Sequence, residues 1–304
     1  MRRASPRWLA TIVALGALTG CWTSTAPSAS PLPSPMTCTT GAASPGESTC
    51  TSRPSTSPVP ATPTPTVTPT PTVTPTPTVT PKPTVMPTAS PTPALDDLFG
   101  TDWTLLPTSA VALTFDCGAS DAAVASILAT LAADGVQGTF FVTGQFARTY
   151  PAEVAAIAAR GHVVGNHSDT HEHYPQLTNA AIAADLAAAR AAIEAAGARP
   201  GPWFRFPYGD RTDADVAAVN TAGYVTIRWT VDTLGWQGTS GGRSAAEVVD
   251  RVLDAARPGE IVLMHVGANP DDGSTLDADA LPDVIAGLRA AGYTFTTVEA
   301  LLGR

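Results

Sequence analysis

Short apolar segments alternate with alanine-rich helical segments through residues 95 to 304. The apolar segments predict buried strands, because each is bounded by turn residues and is too short for a typical helix. The helical segments, such as Ala180–Ala196 and Ala245–Ala256, are followed by a glycine or a turn shortly before the next strand. Strands and helices that alternate in this way predict a parallel sheet with right-handed crossovers.

The number of apolar segments favours a closed or nearly closed barrel. A doubly wound open sheet is the alternative, but its usual glycine-rich phosphate loop is absent from the sequence. Ser120 is predicted to cap a helix that follows the first strand and stops at Gly135. Further glycine stops are Gly161, Gly197, Gly223 and Gly292. The predicted strands are Val111–Phe115, Gly138–Thr143, His162–Gly165, Trp203–Phe206, Tyr224–Thr230, Glu260–His265 and Tyr293–Val298.

Residues 1 to 20 are organised like an export signal. Three arginines give a basic start, and the apolar stretch from Leu9 to Leu18 is too short for a stable transmembrane anchor. The sequence from Leu18 to Cys21 resembles a bacterial lipoprotein processing box, whose cysteine becomes the lipidated first residue of the mature protein. An ordinary secretory signal with an unrelated cysteine is the alternative. We expect lipidation at Cys21, because small residues directly precede it.

Residues 21 to 94 are rich in Ser, Thr and Pro and cannot build a core. From Pro63 onward a Pro-Thr-Pro-Thr-Val-Thr unit repeats, which favours polyproline II and a reach on the order of 100 Å by Ala94. We expect a disordered tether that carries the domain from the membrane into a cell wall. Cys38 and Cys50 predict a small disulfide loop in an exported chain, with two free thiols as the alternative.

The domain from residue 95 to 304 is strongly acidic. It holds 25 of the chain's 26 acidic residues and 12 of its 17 basic ones, a formal charge of −13 without histidine. This charge argues against nucleic acid and against an anionic membrane surface as partners, so the lipid would be the one membrane contact. A neutral glycan is compatible with it. We expect one globular domain that acts as a monomer.

Chemically reactive side chains stand at the carboxyl ends of the predicted strands. Asp116 ends the first strand, Arg205 lies in the fourth and His265 ends the sixth. His167 and His171 follow the third strand, and a helical turn would place them on one face at metal-ligand spacing. Each residue alone has an ordinary interpretation as a turn, core or surface residue. Their shared edge predicts an active site, because α/β folds place their chemistry there.

Four further residues complete this predicted edge. Tyr208 lies in a turn that a proline and a glycine make rigid, which would aim its amide at the site. Asp232 and Trp236 follow the fifth strand, and a tryptophan just past a strand often walls a pocket. Leu263 lies inside the sixth strand.

In chain order these motifs resemble the polysaccharide deacetylases, the NodB-homology domain of carbohydrate esterase family 4. The resemblance extends from about Pro107 to the C-terminus and includes all five family motifs. It implies an α/β fold, a distorted (β/α)7 barrel, and metal-dependent removal of acetyl groups from glycans. We expect a peptidoglycan N-deacetylase. The alternatives are a chitin- or xylan-directed acetyl esterase and a catalytically weak glycan-binding barrel.

The resemblance also implies roles for individual residues. Asp116 corresponds to the general base, Arg205 to the residue that orients it, and His265 to the general acid. His167 and His171 correspond to metal ligands.

The remaining carried-over positions concern the substrate. The Tyr208 amide corresponds to the oxyanion donor, and Trp236 and Leu263 correspond to the pocket around the acetyl methyl group. Asp232 is added as a further substrate contact.

The sequence departs from the family pattern at three positions. Cys117 replaces the second aspartate of the first motif, a metal ligand. Gly235 replaces the aspartate that supports the catalytic histidine, and Asp232 is a candidate for that role. Val266 replaces the aspartate that usually follows the histidine.

We expect Cys117 to act as a thiolate ligand beside the two histidines, which would favour Zn²⁺ over harder ions. The alternative is that Cys117 is a small buried hydrophobic residue. In that case Asp116 or Asp121 completes the coordination, or the site is a weak one with two histidines.

Overall fold

The computed structural model describes residues 93 to 303. The strands are β1 (Val111–Cys117), β2 (Thr139–Val142), β3 (Val163–Asn166), β4 (Trp203–Phe204), β5 (Val225–Thr226), β6 (Val231–Asp232), β7 (Ile261–His265) and β8 (Phe295–Thr296). The helices are α1 (Val124–Ala133), α2 (Gly144–Thr149), α3 (Pro151–Ala159), α4 (Asn179–Ala195), α5 (Asp213–Thr221), α6 (Ala245–Ala255) and α7 (Leu276–Ala290). Short 3-10 helices occupy Leu95–Leu98, Tyr174–Gln176, Pro207–Gly209, Gly235–Gln237 and Val298–Leu302.

Several predictions concern residues outside this range. The export signal, the lipidated Cys21 and the Cys38–Cys50 pair all lie outside the described residues, as does the tether up to residue 92. Within residues 93 to 303, no helix combines the length and the apolar character that a membrane span requires.

The strands form one sheet in the order β5-β4-β3-β2-β1-β7-β6, with β8 paired to β1. All of these ladders are parallel. The sheet curls into a half-barrel with helices packed on it, which is consistent with a distorted (β/α)7 barrel. The predicted α/β fold class is therefore confirmed.

A segment before β1 contacts the curled sheet at two places that lie far apart in the strand order. Trp103 forms a parallel bridge with Ile227, just after β5, and its carbonyl accepts a hydrogen bond from the Arg228 N–H at 2.7 Å. Leu105 forms an antiparallel bridge with Glu260, just before β7. Residues 103 to 105 therefore connect regions that the strand ladders leave apart.

The predicted strand Tyr224–Thr230 is wrong in its length. Only β5 pairs with β4, and the chain then crosses to the other end of the sheet before β6. In this crossing, the Thr230 N–H donates to the Ile261 carbonyl at 2.8 Å, and the Thr230 hydroxyl accepts from the Ile261 N–H at 3.0 Å. The other six predicted strands are present with shifted ends, and the five glycine stops named above all adopt positive φ.

Ser120 does not cap α1. The helix begins at Val124, and Ala123 stands at its N-cap without a side-chain hydrogen bond. The Ser120 hydroxyl instead accepts a hydrogen bond from the Ala268 N–H at 3.0 Å. Ser120 therefore ties the loop after β1 to the loop after β7.

Alternation along β1 separates the apolar core from the site. Leu113, Phe115 and Cys117 are fully buried in the main apolar cluster, which also contains residues of α1, α6 and α7. Thr114 and Asp116 point to the other side of the strand, because successive side chains of a strand face opposite ways. A carboxylate is thus placed inside the curl of the sheet.

We predict that Gly259 is required for the approach of the early segment to β7. Its φ is +77°, and an added Cβ would overlap the carbonyl oxygen of Leu106. The backbone N–H of Leu106 also donates a hydrogen bond to the Gly259 carbonyl at 2.7 Å. Gly223 is a matched control, because its φ is +86° and nothing lies within 4 Å of an added Cβ.

Denaturant titration would measure the free energy of unfolding of both alanine variants. Gly223→Ala should cost about 1–2 kcal/mol, the usual cost of a left-handed alanine. Gly259→Ala should cost a further ~1–3 kcal/mol, because the overlap forces the backbone to move. Equal losses in the two variants would show that the contact with Leu106 carries no constraint.

Candidate active site

The carboxyl ends of the strands meet around one pocket of about 710 Å³, a volume typical of small-molecule sites. The structure brings eight of the residues predicted from the sequence to its wall. They are Asp116, His167, His171, Tyr208, Asp232, Trp236, Leu263 and His265. Arg205 lies beneath the pocket and reaches it through Asp116. Cys117 does not line it.

Arg205 holds Asp116 in place. The guanidinium is fully buried, and its Nη1 donates to Asp116 Oδ1 at 2.8 Å. Its Nη2 donates to the Thr114 hydroxyl at 2.8 Å and to the Arg228 carbonyl at 3.0 Å, while Nε donates to the Ile227 carbonyl at 3.3 Å. Because Nε, Nη1 and Nη2 all donate hydrogen bonds, the guanidinium is held in one orientation. The guanidinium in turn fixes the orientation of the Asp116 carboxylate.

The same contacts set the charge of Asp116. Burial alone would raise the pKa of this carboxyl group. The positive charge of Arg205 outweighs burial, together with smaller contributions from His167, from His265 and from the Arg205 hydrogen bond, so the pKa lies below its ordinary value. Asp116 is therefore an ionised carboxylate at neutral pH, able to accept a proton.

The two predicted metal-ligand histidines do lie together, although their turn is not helical. Residues 167 to 171 form an irregular bend, and Ser168 and His171 have φ values of 70° and 64°. The His171 N–H donates to the Ser168 hydroxyl at 2.7 Å, which closes the bend. The ring centroids of His167 and His171 are 4.9 Å apart.

His167 has a defined tautomer. Its Nδ1 lies 2.8 Å from the Arg205 carbonyl, and a carbonyl only accepts, so Nδ1 carries a proton. Burial lowers the pKa of His167, so the ring is neutral at pH 7 and Nε2 has a free lone pair. This Nε2 lies 3.3 Å from Asp116 Oδ2. Two electron-rich atoms thus face each other, an arrangement that a proton or a cation between them would stabilise.

His171 is also neutral. Burial lowers its pKa to about 4, and the neighbouring His167 adds to this effect. Its ring packs edge-on against Tyr208, with centroids 4.4 Å apart. A neutral imidazole in a pocket wall is the form that binds metal ions.

Cys117 is not brought to the histidines. It is the last residue of β1 and faces away from Asp116, into the main apolar cluster, where it is fully buried. Burial raises the pKa of its thiol well above the ordinary value, and the charge of Asp116 adds to this. The expectation that Cys117 is a thiolate ligand is therefore corrected to the alternative, a small buried hydrophobic residue.

Tyr208 stands in a strained turn at the pocket mouth. It has φ of 58°, and the side chain is 60% exposed while its ring stacks on His173 at 4.1 Å between centroids. Its backbone N–H has no hydrogen-bond partner among the described residues. The four non-glycine residues of the described chain with positive φ are Ser168, His171, Tyr208 and Leu234, and all lie in loops that carry pocket residues. Strain of this kind is concentrated at functional sites.

Trp236, Leu263 and Asp232 form the opposite wall. Trp236 is 49% exposed, and its ring centroid lies 6.4 Å from that of His265. Asp232 Oδ1 accepts a hydrogen bond from the Leu234 N–H at 2.8 Å, which stabilises the turn after β6. The carboxylate of Asp232 is thus engaged by its own turn.

The carboxylate that faces Nδ1 of His265 belongs to a residue that the sequence did not indicate. Asp277, in the first turn of α7, has its Oδ2 3.5 Å from His265 Nδ1. Burial alone would lower the pKa of His265, but Asp277 and Asp116 outweigh it, so the pKa lies above its ordinary value. In the sequence, Asp277 resembles any acidic residue that stabilises the start of a helix, so it gave no functional signal.

Comparison with known proteins identifies the family. Residues 106–227 match the family model described as polysaccharide deacetylase. A chitooligosaccharide deacetylase of Sinorhizobium fredii is 33% identical over 179 residues, which cover 59% of this chain and 81% of that protein. The chain belongs to the polysaccharide deacetylase family. It is therefore a hydrolase of the class that acts on carbon–nitrogen bonds other than peptide bonds.

Two further relatives of this deacetylase are informative. A peptidoglycan-N-acetylmuramic acid deacetylase of Bacillus subtilis is 29% identical over 191 residues, covering 62% of this chain and 70% of that protein. A solved structure of a family 4 carbohydrate esterase pseudoenzyme from Bacillus anthracis superimposes with a TM-score of 0.62 at 28% identity, covering 70% of this chain and 72% of that one. A mutant of that pseudoenzyme with restored enzymatic activity also matches, at 29% identity.

The metal that the family implies fits the residues of this deacetylase in part. Two neutral imidazoles and the gap between His167 Nε2 and Asp116 Oδ2 are suited to a cation. Within residues 93 to 303, however, no group of three or more His, Cys, Asp or Glu side chains gathers in a way that could hold a metal ion. Residues 93 to 303 therefore offer two imidazole nitrogens, and the carboxylate beside them, Asp116, is already engaged by Arg205.

We predict that cobalt(II) bound to this deacetylase shows no sulfur-to-metal charge-transfer band, because Cys117 faces the core. Cys117→Ala should leave the affinity for cobalt unchanged. His171→Ala, the matched variant on the pocket side, should weaken it by roughly 10–100-fold. Absorption spectroscopy during cobalt titration measures both quantities. A charge-transfer band that disappears in Cys117→Ala would show that the Cys117 thiolate is a metal ligand.

Proposed function

We propose that the domain hydrolyses the acetyl groups on amino sugars of a cell-wall glycan, as a peptidoglycan N-deacetylase that releases acetate. One observation carries this proposal. Asp116 and His265 stand directly opposite each other at the ends of β1 and β7, one ionised and fixed by Arg205, the other with a pKa that Asp277 and Asp116 raise against the effect of burial. Amide hydrolysis needs this combination, a base for water and an acid for the departing nitrogen.

The reaction can be assigned to the chain's own residues. A water oxygen adds to the acetyl carbonyl carbon while Asp116 accepts its proton. The Tyr208 N–H is placed to donate to the carbonyl oxygen as it becomes negative. The carbon–nitrogen bond then breaks and His265 gives a proton to the nitrogen. Acetate and a free amino sugar result.

A divalent metal ion, with Zn²⁺ as the first candidate, would be held by His167 and His171. When bound, it would lower the pKa of a water ligand to about 7 and polarise the carbonyl. Arg205 keeps Asp116 directed at the same region from below, so the base is fixed by the protein itself.

The substrate assignment is supported by charge and by exposed rings. The domain's negative charge disfavours anionic polymers, and the pocket mouth is flanked by Tyr208 and Trp236, two of the largely exposed aromatic side chains. Flat apolar rings beside a polar pocket suit the faces of sugar rings. The relatives named for peptidoglycan and for chitooligosaccharide deacetylation make both glycans candidates, and a chitin- or xylan-directed enzyme is the alternative substrate class.

We predict acetate release from peptidoglycan fragments in a panel that also contains chitooligosaccharides and acetylated xylan. Asp116→Asn should lower kcat by at least ~100-fold, the usual contribution of general base catalysis. Asp254→Asn is the matched control, since Asp254 is an exposed acid of α6 outside the pocket. An enzymatic acetate assay with and without added metal gives the comparison. Near-normal turnover of Asp116→Asn would refute its role as the base.

A catalytically weak glycan-binding barrel is the second candidate function. The core position of Cys117 favours it, because no group of three or more metal-binding side chains gathers within residues 93 to 303, and so does the similarity to a pseudoenzyme. The same panel separates the two candidates. If calorimetry shows glycan binding but no acetate is released in the presence of excess zinc, the result favours the catalytically weak glycan-binding barrel.

We further propose that the protein is a monomeric, membrane-anchored lipoprotein that reaches into the cell wall. The proposal rests on the sequence from Leu18 to Cys21, after a basic and apolar start.

We predict that Cys21→Ser releases the protein from the membrane fraction, because the acyl chains attach to that thiol. Cys38→Ser, a matched change of a nearby cysteine, should leave the protein membrane-bound. Fractionation followed by immunodetection gives the measurement. If both variants stay in the membrane fraction, the anchor is elsewhere.

A further inference from the structure

The glycine that departs from the family pattern borders a carboxylate from another element. A Cβ added to Gly235 would overlap Asp277 Oδ1 and lie 2.7 Å from Asp277 Cγ. The space beside Gly235, where the family pattern has an aspartate, is therefore filled by the side chain of Asp277. Two carboxylates cannot occupy it together.

Asp277 is held rigidly in this space. It is 3% exposed, and its Oδ1 accepts a hydrogen bond from the buried Thr233 hydroxyl at 2.6 Å. Its Oδ2 accepts from the backbone N–H of His265 at 2.8 Å. The position in the first turn of α7 adds a favourable interaction with the helix dipole.

The same Oδ2 faces the ring of His265. Nδ1 of His265 lies 3.5 Å from it, is buried, and has no hydrogen-bond partner among the described residues. At this distance the contact is longer than a well-formed hydrogen bond, and such contacts commonly tighten once substrate is bound. A carboxylate can only accept from Nδ1, so this contact directs the other nitrogen, Nε2, to the pocket.

The other acidic residue suggested by the sequence is less suited to this role. Asp232 Oδ1 is occupied by the Leu234 N–H, and its backbone carbonyl accepts two hydrogen bonds from Arg251. Asp232 thus stabilises the turn after β6 and holds Arg251 of α6.

We propose that Asp277 is the positioning residue for His265, replacing from α7 the carboxylate that the family pattern supplies at position 235. The inference rests on the proposed function only for the role of His265 as acid. Asp277 sets the orientation of the ring and keeps the Nδ1 proton in place. His265 then presents Nε2 to the nitrogen of the substrate.

The first test observes His265 without any substrate. Nitrogen-15 NMR of the imidazole rings, at about pH 9 where an imidazole is neutral, distinguishes a proton on Nδ1 from one on Nε2. His265→Gln assigns the signals by removing them. The wild type should show the Nδ1–H tautomer, and Asp277→Asn should lose that preference. Asp279→Asn, an exposed acid in the same helical turn, should keep it. Identical His265 signals in the wild type and in a folded Asp277→Asn would overturn the proposal.

The second test removes the carboxylate at position 277 and restores one at position 235. Asp277→Ala should lower kcat by roughly 10–100-fold with KM little changed, as removal of an orienting partner usually does. Gly235→Asp alone should be impaired because it collides with Asp277. The kcat of the double variant Gly235→Asp/Asp277→Ala should be at least ~tenfold higher than that of Asp277→Ala, since one carboxylate again fills the space.

These outcomes separate two failures. If the wild type releases no acetate from any glycan, the proposed function fails, and the tautomer measurement still decides the role of Asp277. If the double variant folds, as judged by its unfolding transition, but is no more active than Asp277→Ala, the space beside Gly235 is not the place from which His265 is oriented. In that case the proposal is wrong even though the enzyme is active.

Discussion

The buried pair of Arg205 and Asp116 is the interaction on which the site depends. A fully buried guanidinium is stable only when its donors are engaged and its charge is matched. Here the partners come from β1 and from the carbonyls of Ile227 and Arg228, which belong to the crossing between β5 and β6. The arginine therefore requires the sheet to be curled and the crossing to be in place. The orientation of Asp116, the proposed base, is therefore a property of the whole fold.

The sequence predicted the fold and the edge at which the pocket lies, because both follow from short-range patterns. Apolar segments located the strands, and their carboxyl ends placed Asp116, His167 and His265 on one side. It could not predict where the chain leaves the sheet after Thr226, since Tyr224–Thr230 is uniformly compatible with a strand. The exit depends on pairing with Trp103 and Ile261, far away in sequence.

Side-chain direction separates the predicted residues that reach the pocket from Cys117, which does not. Asp116 and Cys117 are neighbours in sequence, yet on a strand they face opposite sides, one toward the pocket and one toward the core. The place of Cys117 in the first motif therefore did not imply that its side chain lies beside the two histidines. Asp277 shows the reverse, because it lies 42 residues after Gly235 and is adjacent to it in space. No local pattern connects the two, and only the packing of α7 does.

The early segment couples the support of Arg205 to tension on the amino-terminal side of the domain. Trp103 pairs with the same short stretch whose carbonyls hold Arg205, and residue 106 is where the family match begins. A pull on the chain from its amino-terminal side loads these few hydrogen bonds before it loads any strand ladder. Two of the carbonyls that accept from Arg205 lie in this stretch, while its bonds to Asp116 and Thr114 belong to β1. The orientation of Asp116, the proposed base, is thus coupled to load on the amino-terminal side of the domain.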